Sequence, residues 1–206
     1  MRITPSKIVC VGRNYREHAA ELGNDVPAAP LLFLKPPSSV IQDGEAIVMP
    51  RASARVDHEG EIGIILGARL RRASVADARA AIHGIVAAND VTARDLQKTD
   101  GQWTRAKGFD TFCPVGSPGA VPADLDAMEL ITRVNGDVRQ QAHASEMVFS
   151  IPELLAYVSQ IMTLLPGDLV LTGTPSGISP IEAGDTVEVE IVGISRVRSP
   201  VVAEGG

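Results

Sequence analysis

The chain reads as one domain in which β-strands alternate with short helices. Three observations predict this. Its 206 residues suit a single domain, with at most a small subdomain, and are enough to bury a core. Apolar, β-branched runs of strand length recur along it. Between them lie short segments with helix-start signals, and no stretch reads as a domain linker; 118–127 is a loop.

Taken in order, Lys7-Ile8-Val9-Cys10-Val11-Gly12 is a short strand closed by glycine. Residues 13–23 follow as a short helix, with Asn14 as its N-cap and Gly23 as its stop. Val56 to Leu66 is a strand whose tail, Ile62-Gly63-Ile64-Ile65-Leu66, runs into a core. Ser74-Val75-Ala76-Asp77 opens a helix with a cap-like start. Ile82 to Ala88 is an apolar run that ends abruptly in Asn89-Asp90. Asn135-Gly136-Asp137 is a hairpin turn between alternating strands. Ser150-Ile151-Pro152-Glu153 is a capping box. It opens an amphipathic helix that sets Ile151, Leu154, Leu155, Val158, Ile161 and Met162 on one core-facing stripe. Gly167-Asp168 and Gly184-Asp185 each signal a turn into a strand, and residues 203–206 read as a mobile end.

Composition removes several classes of function. A net charge of −6, 3% aromatic residues and no basic cluster argue against nucleic acid or an anionic membrane as partner. No apolar run approaches the roughly 18 residues of a membrane span, and the N-terminus lacks the regions of a signal peptide. Cys10 and Cys113 are too few and too far apart for a disulfide framework, which fits a reducing cytoplasm.

The chemistry concentrates in a few segments. On the strand from Val56, side chains alternate, so Glu59 and Glu61 share a face, and Gly60 leaves the other face bare. Two like charges at the mouth of an apolar strand repel each other and are costly to desolvate, so a cation is expected beside them. Asp90 ends the second apolar run in a similar setting. Three carboxylates with open positions suit Mg²⁺ or Mn²⁺ and leave room for a chelating substrate. The same residues also suit a solvated strand face and a turn cap, and spacing alone leaves both readings open.

His18 and Glu21 lie one helical turn apart, as in a general base held by an acid, or as in an ordinary surface pair. With glycine at each end, 12–24 could move as a lid. Arg94 and Gln97 would face the same space as Asp90 if their segment is helical. Lysine is scarce here, so Lys107 in a semi-apolar stretch invites attention as a point charge suited to an enolate or carboxylate. Lys7 and Lys98 read as solvated side chains. His58, His83 and His143 read as structural or surface residues, with His58 pointing away from the Glu pair.

In order and spacing these segments resemble the fumarylacetoacetate hydrolase family, in particular its small single-domain branch of acylpyruvate hydrolases and oxaloacetate decarboxylases. The segments are Gly12-Arg13-Asn14-Tyr15 with His18 and Glu21, Phe33-Leu34-Lys35-Pro36, Asp57 to Glu61, Asn89-Asp90 to Gln97, Ala106-Lys107-Gly108-Phe109-Asp110, and Thr172-Gly173-Thr174-Pro175. The resemblance implies an α+β fold, a mixed β-roll with short flanking helices, over residues 1–206 as a single catalytic domain. It also implies a Mg²⁺ or Mn²⁺ cofactor and a homodimer. By resemblance, Glu59, Glu61 and Asp90 are metal ligands, His18 and Glu21 form a lid dyad, and Lys107 is the active-site lysine. Lys35, Arg94, Gln97 and Thr174 fall at substrate-contact positions.

The expected reaction is hydrolysis of the C3–C4 bond of an acylpyruvate, a small anionic 2-oxo acid. His18, supported by Glu21, would activate water, and Lys107 would stabilise the leaving pyruvate enolate. Oxaloacetate decarboxylation and isomerisation of 5-carboxymethyl-2-hydroxymuconate-type dienols would use the same residues and are the alternatives. A non-catalytic carboxylate-binding domain is the rival of another class.

Overall fold

A computed structural model describes residues 3–17 and 27–205. In chain order its strands begin with β1 (Ile8–Gly12), β2 (Leu31–Lys35), β3 (Val40–Gln42), β4 (Ile47–Met49) and β5 (Val56–His58). Next come β6 (Gly60–Leu66), β7 (Ile82–Asn89), β8 (Thr92–Ala93), β9 (Cys113–Val115) and β10 (Glu129–Val134). The last are β11 (Asp137–His143), β12 (Leu169–Leu171), β13 (Ser179–Pro180), β14 (Thr186–Ile191) and β15 (Ser195–Ala203). The described α-helices are α1 (Val75–Ala80), α2 (Arg94–Thr99), α3 (Thr104–Lys107) and α4 (Ile151–Ile161).

The strands form three sheets. A seven-stranded sheet has the order β2-β1-β12-β6-β7-β9-β3, a five-stranded sheet β11-β10-β14-β15-β4, and a small sheet β13-β5-β8. The first is mixed: β1 runs parallel to β12 and β3 to β9, while β6 pairs antiparallel with β7 and β12. Strand-rich sheets with short helices at their margins match the α+β expectation.

Period-two alternation decides what each face of β6 meets. Ile62, Ile64 and Leu66 join the main core with Leu130 of β10, Val189 of β14, Val197 of β15 and Leu155 of α4. Ile65 points the other way, into a second cluster with Cys10, Val86, Leu169 and Leu171. Each such buried aliphatic side chain contributes roughly 1.5–3 kcal/mol. Glu59 and Glu61 share the parity of Ile65.

Local signals account for the ends of the elements. The Asp77 N–H donates to Ser74 Oγ at 3.1 Å ahead of α1, and Glu153 Oε2 accepts from the Ser150 N–H at 2.8 Å ahead of α4. Asn135 (φ 54°) and Gly136 (φ 90°) take the left-handed pair that turns β10 into β11.

Several expectations are corrected. Ile161 is 57% exposed, because it falls at the edge of the α4 stripe in the last turn, beyond the arc that reaches the core. Lys7 is not simply solvated: it pairs with the buried Asp168, which also accepts from Ser6 Oγ at 2.5 Å and the Leu165 N–H at 2.7 Å. The C-terminal end is tied as far as Glu204, whose N–H donates to Met49 O at 3.1 Å and whose Oε2 accepts from the Arg51 N–H at 2.8 Å. No described helix is long and apolar enough to cross a membrane.

Candidate active site

The break between β5 and β6 falls at Glu59, and β7 ends at Asn89. Gly60 pairs with Asn89 in the ladder, so the residues flanking them, Glu59 and Asp90, meet at the same sheet edge. The Asp90 N–H donates to Glu59 O at 2.8 Å, and the Glu59 N–H donates to Asn89 Oδ1 at 2.9 Å. Glu61 follows one pleat along β6. Glu59, Glu61 and Asp90 are all buried, and each offers an oxygen within 4.8 Å of the others. The three carboxylates expected to act together do converge.

Their electrostatics favour a cation beside them. Burial, then Asp90 and Glu59, push the Glu61 carboxyl well above the usual carboxylate range, while Lys107 and the Gly173 N–H pull the other way. That N–H donates to Glu61 Oε2 at 2.7 Å. Lys107 Nζ lies 2.7 Å from Glu59 Oε2 and 2.6 Å from Asp90 Oδ2. Burial alone would lower the Lys107 pKa, but Asp90 and Glu59 outweigh it and hold it above the ordinary lysine value. Three buried, convergent oxygen donors fit a hard divalent cation such as Mg²⁺ or Mn²⁺.

Arg94 opens α2 and faces the same space. Its Nη2 donates to Glu59 Oε1 at 2.5 Å, Nη1 to Gln97 Oε1 at 2.5 Å and Nε to Asp57 Oδ2 at 2.9 Å. Arg55 clamps the other side of Asp57, at 2.9 and 3.1 Å. Arg94, Gln97, Thr174 and Lys107 line a cavity of about 260 Å³ together with the three acids. Phe33 and Trp103 form an aromatic wall, edge to face at 5.3 Å, with Lys107 Nζ 5.0 Å from the Phe33 ring centre.

Lys35 does not line this cavity. It is fully buried behind Asp90, donating to Asp90 Oδ1 at 2.7 Å and to Val91 O at 3.3 Å. At the end of β2 this residue, expected at a substrate-contact position, holds the Asp90 carboxylate in place. Asn14 was expected to cap a helix. Most of that helix lies outside the described residues; the Asn14 amide ties the loop after β1 to two distant segments, through Phe149 (3.1 and 2.9 Å) and Thr172 O (2.8 Å). His18 and Glu21, and much of the 12–24 segment, lie outside the described residues. His58 is buried on the far side of the strand with Nε2 2.9 Å from Ser179 Oγ, while His83 and His143 are exposed.

Two supports carried no sequence assignment. Asp57 holds Arg94, and its parity with Glu59 and Glu61 on one strand was the available signal. Gln140 accepts from the Gly60 N–H at 2.9 Å and donates to Thr174 Oγ1 at 2.7 Å; Thr174 Oγ1 in turn donates to Gly60 O at 2.9 Å. Nothing local to Gln140 reveals that role.

Comparison with known proteins agrees with this architecture. The fumarylacetoacetate (FAA) hydrolase C-terminal family model matches residues 7–202. A mitochondrial oxaloacetate tautomerase of Arabidopsis thaliana is 44% identical over 199 residues, covering 94% of this chain and 91% of the relative. The crystal structure of a 5-carboxymethyl-2-hydroxymuconate delta-isomerase from Mycobacterium smegmatis superimposes with a TM-score of 0.91 at 45% identity, covering 99% of this chain and 81% of the other. A fumarylpyruvate hydrolase from Pseudomonas aeruginosa, solved with Mn²⁺ and pyruvate, superimposes with a TM-score of 0.90 at 28% identity, covering 97% and 91%.

Proposed function

Because the chain belongs to the fumarylacetoacetate hydrolase family, we propose that it is a divalent-metal-dependent enzyme acting on a small anionic 2-oxo acid, and that it hydrolyses the C3–C4 bond of an acylpyruvate. The observation that carries this reading is the charge balance of the site. Four acids, Asp57, Glu59, Glu61 and Asp90, are matched by Lys35, Arg55, Arg94 and Lys107. With Glu61 ionised, as metal binding demands, this set is neutral before any cation is added. A divalent ion then adds two positive charges to this largely buried set. A 2-oxo acid whose enolate is forming carries two negative charges, one on the carboxylate and one on the enolate oxygen. The excess is thus realised against the reacting state more than against the resting substrate.

Glu59, Glu61 and Asp90 would hold Mg²⁺ or Mn²⁺, which when bound supplies Lewis acidity toward the 2-oxo acid's oxygens. Arg94, fixed by Asp57 and Gln97, is placed to orient the substrate carboxylate, and Lys107 to meet the developing enolate charge. Water, deprotonated by His18 with Glu21 behind it, adds to the C4 carbonyl. The C3–C4 bond breaks, and its electron pair passes to the pyruvoyl half as enolate. Proton return at C3 gives pyruvate, and the other half leaves as a carboxylic acid.

A second reading is favoured by the Arabidopsis relative. Tautomerisation or decarboxylation of oxaloacetate passes through the same enolate with no water nucleophile, as does isomerisation of a hydroxymuconate-type dienol. Steady-state assays with acetylpyruvate and oxaloacetate in parallel, with Mn²⁺ or Mg²⁺ and then EDTA, test both. Metal-dependent loss of acetylpyruvate with equimolar pyruvate supports hydrolysis. No cleavage, but faster enol-to-keto conversion of oxaloacetate or release of carbon dioxide, replaces the first reading with the second. Failure to turn over any of these compounds removes both.

A further inference from the structure

We propose that Gln140 is a positioning residue for the metal ligands, reaching across from the five-stranded sheet to fix the two peptides that join Glu59 to Glu61. The inference rests on the divalent-metal reading above and extends it to a residue that belongs neither to the three-acid group nor to the cavity lining. Gly60 is the link between the two ligands. Thr132 Oγ1 would lie 1.9 Å from a Cβ there, so the position takes glycine, the residue that restrains its own backbone least. Strand β7 does not hold it. The Asp90 N–H to Glu59 O bond flanks the pairing of Gly60 with Asn89, so this is a pair without hydrogen bonds, and the Gly60 N–H and C=O point away from β7. On the side they face, β12 has already ended at Leu171, opposite Gly63, and Gly173 (φ 100°) breaks the strand.

Two side chains take the place of the strand. Gln140 Oε1 accepts from the Gly60 N–H at 2.9 Å, and Thr174 Oγ1 donates to Gly60 O at 2.9 Å. The first bond fixes the Glu59–Gly60 peptide plane and the second the Gly60–Glu61 plane, so together they aim both carboxylate side chains. Gln140 governs both bonds, because its Nε2 also donates to Thr174 Oγ1 at 2.7 Å and to Pro175 O at 2.8 Å. With its oxygen on an N–H and its nitrogen on two oxygens, the amide would break the bonds to Gly60 and Pro175 if it flipped. A β-bulge delivers it. Strands β10 and β11 pair Arg133 with Val138 but Thr132 with Gln140, which leaves Arg139 as the extra residue. Without the bulge, Arg139 would pair with Thr132 and Gln140 would turn to the outer face. As built, Arg139 is exposed and Gln140 is 1% exposed behind Gly60. Partners that orient metal ligands in this way are part of a metal site although they touch no ion.

The test is titration of the full chain with Mn²⁺, followed by calorimetry and by electron paramagnetic resonance of the bound ion, whose line shape reports the symmetry of its ligands. Gln140→Met keeps the volume and removes all three hydrogen bonds. It is expected to weaken Mn²⁺ binding by about 10- to 100-fold, the usual effect of losing a group that orients a ligand, and to alter the line shape. Gln140→Asn retracts the same amide by one methylene group, is expected to act in the same direction, and carries the test if the Met variant does not fold. Asn135→Gly is the control: it keeps the left-handed turn of the same hairpin but removes the side-chain bonds to Asp185 and the Thr186 N–H, far from the acids in the hairpin. It is expected to lower Tm and to leave Mn²⁺ affinity and line shape unchanged. An unaltered affinity and line shape in a folded Gln140 variant overturns the inference and leaves the metal reading standing. An equal loss of affinity in Asn135→Gly also overturns it, since the effect would then belong to hairpin stability. If the unmodified protein binds no Mn²⁺, the metal reading itself fails and the role of Gln140 falls with it.

Discussion

Lys107 Nζ donates to Asp90 Oδ2 at 2.6 Å where neither side chain reaches solvent to any useful extent. An ammonium thus lies among the carboxylates expected to hold a divalent ion. The two cations repel, and each compensates the same acids. Replacing Lys107 with Met leaves Glu59 and Asp90 short of a counter-charge. The Lys107→Met protein is therefore expected to bind Mn²⁺ several-fold more tightly by calorimetry, while kcat falls roughly 10²–10³-fold, as for other lost groups that stabilise transition-state charge. Tighter metal binding with undiminished turnover would take Lys107 out of the chemistry.

Glu61 makes the metal-free and metal-loaded proteins respond oppositely to pH. Its carboxyl is held well above the ordinary value, chiefly by burial and then by Asp90 and Glu59. Between the unfolded and folded pKa values the native state binds the extra proton. Stability then falls as pH rises through that window. In EDTA, Tm is expected to drop as pH climbs above the normal carboxylate range, and Glu61→Gln is expected to flatten the drop. Metal binding displaces the proton, so affinity for Mn²⁺ should rise with pH and the binding enthalpy should vary with the buffer's ionisation enthalpy. A buffer-independent enthalpy would show that no proton leaves.

Asp168 gives the contrary sign away from the site. Burial pushes its carboxyl up, but hydrogen bonds from Lys7, Ser6 and the Leu165 N–H outweigh that and hold it below its ordinary value. Its stabilisation is present above the unfolded pKa and is lost as pH falls through the folded one. Asp168→Asn is expected to lower Tm at neutral pH, and the deficit relative to the unmodified protein should shrink toward acid. A deficit constant with pH would assign the loss to packing.

What the sequence made legible is what short-range periodicity controls. Glu59, Glu61 and Asp90 could be grouped because strand alternation and an abrupt apolar-to-acid junction are local patterns. The capping boxes at Ser74 and Ser150 and the Asn135-Gly136 turn are local as well. Lys35 could not be placed, because whether the last residue of β2 faces cavity or core depends on the β1–β2 register. The ties from Asn14 to Phe149 and Thr172 were not legible, because these partners lie far along the chain and meet it only through the sheet order. Ile161 shows the limit even of local pattern, since a position at the edge of a stripe is decided by where the facing sheet ends.

Asp57 tests whether the anchoring of Arg94 matters to function. It is fully buried between Arg55 and Arg94, which itself stays charged because Glu59 and Asp57 outweigh its burial. Asp57→Asn removes one charge and leaves Arg94 held only by Glu59 and Gln97. Breaking a buried ion pair costs about 3–5 kcal/mol when one partner is left uncompensated; the exposed Arg55 and the surviving Glu59 contact should reduce this. A rise in KM larger than the fall in kcat is expected, consistent with a misaimed substrate-orienting group. Equal kinetics with a lowered Tm would reduce Asp57 to a structural role.

Gly60 links the fold to the site most tightly, and a double-mutant cycle can isolate the link. A Cβ at this position would lie 1.9 Å from Thr132 Oγ1 and 3.2 Å from Gln140 Oε1, so the five-stranded sheet approaches β6 directly between two metal-ligand candidates. Gly60→Ala must push these apart, with a cost at or above the roughly 1–3 kcal/mol usual for overpacking. Thr132 Oγ1 is buried and has no hydrogen-bond partner among the described residues, so Thr132→Ala forfeits little beyond a methyl group, about 1 kcal/mol. The combined variant should then be more stable than the two single losses would sum to, by about 1–2 kcal/mol in denaturant titrations. Mn²⁺ affinity should follow the same order, weakest in Gly60→Ala and partly restored in the double variant, because strand displacement at Gly60 moves Glu59 and Glu61 together. Strict additivity of the stability losses would mean that the strand relaxes elsewhere and that the close approach of Thr132 does not constrain the ligand pair.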